Sequence, residues 1–407
     1  MWKENYITIQ SKDDLSFVRR DSIQKLAKVD AIIFDCDGVL IDATKSYLMA
    51  VKETVNFIFS SLTGSRIEER LLDKLIYLLK KGGGFNNDWA ASYVISLLAF
   101  TIMPKEVKEV LKRGIDSKLS KATNDPSDEL IIIGKSLKDK IRNMDFRISE
   151  ESSKRLIKLA ERASSSGFRF FERDLFSNSS ISKDDLEILQ IGKNILSYPG
   201  NVGESLLITI FEEKFLGCKL FREIYNIDCE FHEGKGLIEN ENVVIEREIL
   251  KKISSLIGGS KFGIASGRPF VATKYTMRDL LDYFKPEARV FLEDINEAER
   301  EAKQKGEIVD LSKPNPYSLI NCARGLRPFN FALYLGDSME DLMMVEFANR
   351  IEASYLFGGV YAHSIMGDEQ RKDFIKRKAD LVLPSVKELP FVLKYIKEGR
   401  GFAGRPV

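Results

Sequence analysis

An α/β protein built on a parallel sheet and carrying a mostly helical inserted domain is the architecture expected of this 407-residue chain. Three observations lead there. Short apolar runs end in small or acidic residues, as buried parallel strands do: Ala31 to Phe34 before Asp35, Phe262 to Ala265 before Ser266, and Phe331 to Leu335 before Gly336 and Asp337. Helical periodicity separates these runs from further candidate strands at Val290 to Leu292, Ile351 to Phe357 and Leu381 to Pro384. Between the first of these strands and Phe262, about two hundred residues carry helical periodicity and few β-branched runs, which marks an insertion.

Residues 1–42 hold an N-terminal addition and the first core strand. An extended stretch is expected near Tyr6 to Ile9, and a helix from Asp13 to Ala27. Residues 43–255 form the helical insert, and 256–407 complete the core. Within the insert, Leu71, Leu72, Leu75, Leu78 and Leu79 fall on one helical face, closed by Lys80, Lys81 and Gly82. Other amphipathic stretches run from Ser46 to Leu62, Glu129 to Met144, Ser153 to Ala163 and Glu204 to Tyr225. Loops are expected near Pro126 and within the Ser-, Phe- and Arg-rich segment Ala163 to Asn178.

Basic and acidic residues number 62 and 61, so the chain lacks the electrostatic footprint of a general nucleic-acid binder. The most apolar stretch, Ala90 to Phe100, is too short to span a bilayer, and no membrane or targeting segment is expected. Cys36, Cys218, Cys229 and Cys322 are scattered without a C-x-x-C pair, so neither a zinc cluster nor a disulfide framework is expected, and a reducing cytoplasm is the simplest compartment. Two histidines, His232 and His363, supply imidazole chemistry poorly, which leaves carboxylates as the leading chemical groups.

Open α/β sheets bind ligands in the crevice outside the carboxyl ends of their strands, where Asp35, Ser266 and Asp337 would meet. Four short elements occupy such positions in order. They are Phe34-Asp35-Cys36-Asp37-Gly38-Val39-Leu40, Ser266-Gly267-Arg268-Pro269, Lys313-Pro314-Asn315-Pro316 and Gly336-Asp337-Ser338-Met339-Glu340-Asp341. Jointly they resemble the haloacid dehalogenase superfamily, across about residues 31–42 and 260–395. The resemblance, to the subfamily I type, implies a Rossmann-like core with a helical cap inserted after the first core strand.

It also implies roles. Asp35 matches the nucleophile and Asp37 the general acid; Ser266, with Gly267, matches the phosphate-binding turn; Lys313 matches the lysine that neutralises the phosphoryl group. Asp337, with Asp35, Asp37 and Asp341, matches the magnesium site, Asp341 acting directly or through water. True haloacid dehalogenases lack an acid at the position of Asp37, and the P-type ATPase signature is absent, which leaves phosphatase and phosphomutase. The physical chemistry agrees: like charges 4 Å apart repel by ~4 kcal/mol at an effective dielectric of 20, so gathered carboxylates require cations. Magnesium suits carboxylates together with phosphate oxygens.

Arg268 is expected either at a substrate anion or in a salt bridge to the cap. In Gly82-Gly83-Gly84-Phe85-Asn86-Asn87-Asp88-Trp89 two readings stay open: a glycine-terminated helix followed by a capped one, or a cap loop whose Asn86, Asn87 and Asp88 read a substrate. The leading expectation is a magnesium-dependent phosphatase acting on a small phosphate monoester of the sugar or polyol type. A phosphomutase comes second. A non-catalytic binding or regulatory protein of the same fold is third.

Overall fold

In the computed structural model, residues 5–11, 14–82, 85, 87–116, 146–179, 181–364 and 366–399 are described. The chain divides into two compact units, Met1–Thr44 with Glu241–Val407, and Lys45–Asn240.

The first unit carries an eight-stranded sheet in the order β1-β2-β10-β9-β8-β3-β6-β7. Its strands are β1 (Tyr6–Ser11), β2 (Asp14–Arg19), β3 (Val29–Phe34), β6 (Phe262–Ala265), β7 (Arg289–Val290), β8 (Phe331–Gly336), β9 (Tyr355–Val360) and β10 (Leu381–Leu383). From β10 to β7 every pairing is parallel, while the β1–β2 hairpin adds antiparallel to β10. Strand β3 reads apolar on successive residues because the sheet is covered on both faces. Ile32 and Phe34 join a cluster with Leu250, Ile253 and Val392, and Ala31 and Ile33 join another with Leu319, Ala323 and Leu342. Two short strands, β4 (Ile41–Asp42) and β5 (Asn242–Val243), pair antiparallel where the chain leaves this unit and returns to it.

The second unit is helical: Tyr47–Thr63, Glu69–Lys81, Asp88–Phe100, Lys105–Asp116, Glu150–Ser166, Phe168–Phe176, Lys183–Leu196 and Leu206–Tyr225. Ala90 through Phe100, the most apolar run of the chain, is buried at every position, as befits a helix apolar all round at the centre of a bundle. Side chains of Asn87, Ser149, Ser182 and Ser205 cap four of these helices by accepting backbone N–H bonds. Among the described residues no single helix is long and apolar enough to cross a membrane.

Several expectations need correction. Instead of a helix from Asp13 to Ala27, the chain forms β2 and only then the short helix Ile23–Leu26. Phe17 and Val18 point to opposite faces and enter different clusters, the two-residue period of a strand. Ile351 ends the helix Met339–Ile351 and is exposed, so the strand expected from it begins at Tyr355; Leu292 likewise opens the helix Leu292–Gln304. The helix Arg247–Ile257, assigned to an insert of 43–255, packs Leu250, Ile253 and Ile257 into the sheet's own cluster. Between Ala163 and Asn178 the loop shrinks to a break at Gly167, whose φ of 69° suits glycine, between two helices. A disulfide joins Cys218 to Cys229, eleven residues apart with Cα atoms 5.4 Å from each other, where none was expected. Cys218 lies in the helix Leu206–Tyr225 just after its break at Gly217, and the loop after that helix returns Cys229 to it. The stretch Glu129 to Met144 and Pro126 lie outside the described residues.

Candidate active site

The neighbouring order β8-β3-β6 sets three strand-end loops side by side. Asp35 follows the last residue of β3, and its N–H donates to Leu335 O of β8 at 2.9 Å. The chain then turns tightly: the N–H groups of Leu40 and Ile41 both donate to Cys36 O at 2.8 and 2.9 Å, and Gly38 N–H donates to Ile41 O at 2.8 Å. Gly38 has φ of 73°, and a Cβ there would lie 2.2 Å from Asp337 Oδ2. Only glycine gives both the left-handed turn and room for the carboxylate arriving from β8.

Asp341 belongs to the helix after β8. It closes a capping box in which Ser338 N–H and Ser338 Oγ donate to Asp341 Oδ2 at 3.0 and 2.7 Å, and Asp341 N–H donates back to Ser338 Oγ at 3.1 Å. Its other oxygen, Oδ1, lies 3.0 Å from the Tyr334 hydroxyl and 2.8 Å from Lys313 Nζ. The same ammonium lies 2.9 Å from Asp35 Oδ2, and Asp35 Oδ1 accepts Cys36 N–H at 2.8 Å. Lys313 thus joins Asp35 to the helix carboxylate of Asp341.

The electrostatics follow from burial. Desolvation pushes Asp35 above the usual carboxylate range, with Lys313 opposing the shift and Asp341 reinforcing it. Burial works against the Lys313 ammonium, but Asp341 and Asp35 outweigh it and hold the lysine charged. Asp37 is pushed up to about 6, by burial first, with Arg268 pulling the other way and Glu241 and Asp35 adding to the rise. One third of its side chain remains exposed, which tempers the desolvation.

Oxygens of Asp35, Asp337 and Asp341 come within 4.8 Å of one another, a group able to hold a cation. The donor set is all oxygen, which suits a hard divalent ion. Both oxygens of Asp341 already accept bonds from Tyr334, Ser338 and Lys313, which suits it to a supporting place in such a group. Asp37, expected among the metal carboxylates, is not in this group: its Oδ1 accepts Arg268 Nη1–H at 2.6 Å.

Ser266 is buried just after β6, donates its N–H to Val290 O at 3.0 Å, and accepts Arg268 N–H on its hydroxyl oxygen at 3.3 Å. Gly267 next to it has nothing within 4 Å of the position a Cβ would take, which leaves open space at that turn. Of the two readings of Arg268, a substrate anion or a salt bridge to the cap, the contacts found are salt bridges, to Asp37 and Glu241 within the sheet-bearing unit. The Arg268 side chain is fully buried, and it donates to Asp37 and, through Nη1 and Nη2, to both oxygens of Glu241 at 2.9 and 2.6 Å.

The fold, as distinct from the site, recurs in a solved structure. The X-ray structure of Northeast Structural Genomics Consortium target ZR25 superposes with a TM-score of 0.53 at 19% identity, covering 91% of this chain and 100% of that one. A structure described as phosphatase Tt82 from Thermococcus thioreducens gives a TM-score of 0.41 at 20% identity, covering 81% of this chain and 92% of that one. No protein-family model matches the chain, and neither does any curated protein. At such identity the first of these shows a shared fold and no more.

In the helical unit, Asn87 Oδ1 accepts Trp89 N–H and Ala90 N–H at 2.8 and 3.3 Å, and Asp88 pairs with Lys80 at 2.8 Å. The capping reading of that segment therefore accounts for both; Asn86 lies outside the described residues. Sequence reasoning missed Tyr334, buried inside an apolar strand run, and Glu241, one acid among several in Ile238-Glu239-Asn240-Glu241-Asn242. Neither carries a local signal. Their partners come from 7 and 27 residues away.

Proposed function

We propose that this chain is a magnesium-dependent phosphatase that hydrolyses a small phosphate monoester, of the sugar or polyol type, through an aspartyl phosphate on Asp35. The observation that carries the reading is the convergence of Asp35, Asp337 and Asp341 with a buried Lys313 in contact with two of them. The four motifs and their strand-end placement fit the haloacid dehalogenase pattern. A near-zero net charge agrees with a small anionic substrate rather than a nucleic acid.

The residues divide the work as follows. Asp35 attacks phosphorus in line; the new O–P bond forms as the bond to the leaving oxygen breaks. Asp37, protonated, gives its proton to that oxygen, and then takes one from the water that cleaves the Asp35 phosphoryl bond. Lys313 offsets charge on the transferring group, and the Ser266 hydroxyl and the open turn at Gly267 give it a polar seat. A magnesium ion held by Asp35 and Asp337, with Asp341 in support, would neutralise the phosphate dianion when bound.

Phosphate release from a panel of sugar, polyol and aryl monoesters, with magnesium and with a chelator, tests this reading. Release that requires magnesium is expected. Absence of release from every ester would reject the phosphatase, and dependence on a bisphosphate activator with no net hydrolysis would turn the reading to a mutase.

A further inference from the structure

Arg268 and Glu241 have no part in the reaction as derived, yet among the described residues of the sheet-bearing unit they form the most buried ion pair, with both side chains at 0% exposure. We infer that the pair is a clamp that positions Asp37 for proton transfer to the leaving oxygen, a role that rests on the phosphatase reading. The guanidinium is held from one side by Glu241, through Nη1–Oε1 at 2.9 Å and Nη2–Oε2 at 2.6 Å. Nη2 also reaches Ala272 O at 3.3 Å, and the Thr276 hydroxyl donates to Glu241 Oε2. From the other side Nη1 holds Asp37 Oδ1 at 2.6 Å.

A two-pronged arginine–carboxylate contact fixes direction as well as distance, which a lysine ammonium does not. Asp37 needs such direction. It sits in a loop whose next turn, Gly38, is left-handed, and its side chain remains one third exposed. The clamp engages Oδ1, and one third of the side chain remains exposed.

Chain topology adds a second reason. Glu241 immediately precedes β5, which pairs with β4, and β4 begins four residues after Asp37. The clamp therefore spans the outgoing and returning strands and reads their register into the position of the acid. Replacing a buried ion pair by apolar residues of similar volume commonly stabilises a fold, so its retention at the general acid points to a task in the reaction.

Leaving-group chemistry separates this from a plain structural staple. An alkyl alkoxide needs a proton to depart, and a nitrophenolate does not. In the full-length protein with magnesium, Glu241→Gln is expected to lower kcat for the best sugar or polyol phosphate about 100-fold or more, while kcat for p-nitrophenyl phosphate and both KM values stay within about threefold. Arg268→Lys, which keeps the charge but cannot span both carboxylates, is expected to give the same split.

An equal loss on both esters, or no loss on either, in whichever variant folds overturns the inference. Failure of both variants to fold also overturns it, since the pair is then a staple. A wild-type protein inactive on both esters removes the phosphatase reading itself, and the clamp with it.

Discussion

Lys313 and Arg268 each stand between two carboxylates: Lys313 between Asp35 and Asp341, Arg268 between Asp37 and Glu241. Asp337 is the fifth acid, and its carboxylate gathers with those of Asp35 and Asp341. Lys313→Met would leave Asp35 and Asp341 buried without their shared cation, a loss of about 3 to 5 kcal/mol in metal-free protein. Denaturant unfolding with and without magnesium measures it, and added magnesium should recover part of the loss. In the proposed role of general acid, Asp37 would supply the pH dependence. Its pKa of about 6 is raised, so the protonated form that acts as acid prevails below about pH 6 and is lost above it. For an alkyl phosphate, kcat/KM should therefore fall as pH rises through about 6, and Asp37→Asn should abolish that limb along with most of the activity. A flat profile from pH 5 to 8 in the wild type would contradict the assignment.

Turns and helices transmit the same constraints. In the loop after β3, Gly38→Ala would place a Cβ 2.2 Å from Asp337 Oδ2 and force a β-carbon into φ of 73°. Magnesium affinity, read by titration calorimetry, should drop by at least about tenfold, together with a stability loss on the order of 1 kcal/mol. In the helix Leu206–Tyr225, Glu212 is buried, with Trp89 Nε1–H donating to Oε1 at 2.9 Å, and burial raises its pKa to about 7. The folded state thus binds this proton more tightly than the unfolded chain does. Stability contributed by the protonated form is complete below about 4.5 and is lost as pH rises to about 7. Glu212→Gln should flatten that dependence and stabilise the protein above pH 7 by roughly 2 kcal/mol, measured by unfolding at pH 5 and 8.

Strands β3, β6 and β8 could be read from the chain because each is a short apolar run ending in a polar residue, and the helix Glu69–Lys81 because its leucines repeat on one face. The β2 hairpin strand could not, since Asp14–Arg19 is half polar and gains its period only against β1 and β10. Asp35, Lys313, Asp337 and Asp341 converge as read. Arg268 is marked by its motif but its partners are not, while Glu241 and Tyr334 carry no local pattern, since their partners lie elsewhere in the sequence.

Considered whole, the protein has two compact units with different chemistry, one holding the acidic site and the other the Cys218–Cys229 disulfide. Calorimetry should separate them by response. Magnesium should raise a transition belonging to the sheet-bearing unit. Reductant should lower one belonging to the helical unit, by about 2 to 3 kcal/mol for a closed loop of this length. Responses that are reversed, or absent from both, would count against this division. The central claim, that Asp35 carries the phosphoryl group, is tested most directly by rapid acid quench during turnover of a phosphate monoester with magnesium, followed by peptide mass spectrometry. The account predicts a single added phosphoryl group on the peptide bearing Asp35, absent from Asp35→Asn; turnover with no such adduct, or an adduct on another residue, would contradict it.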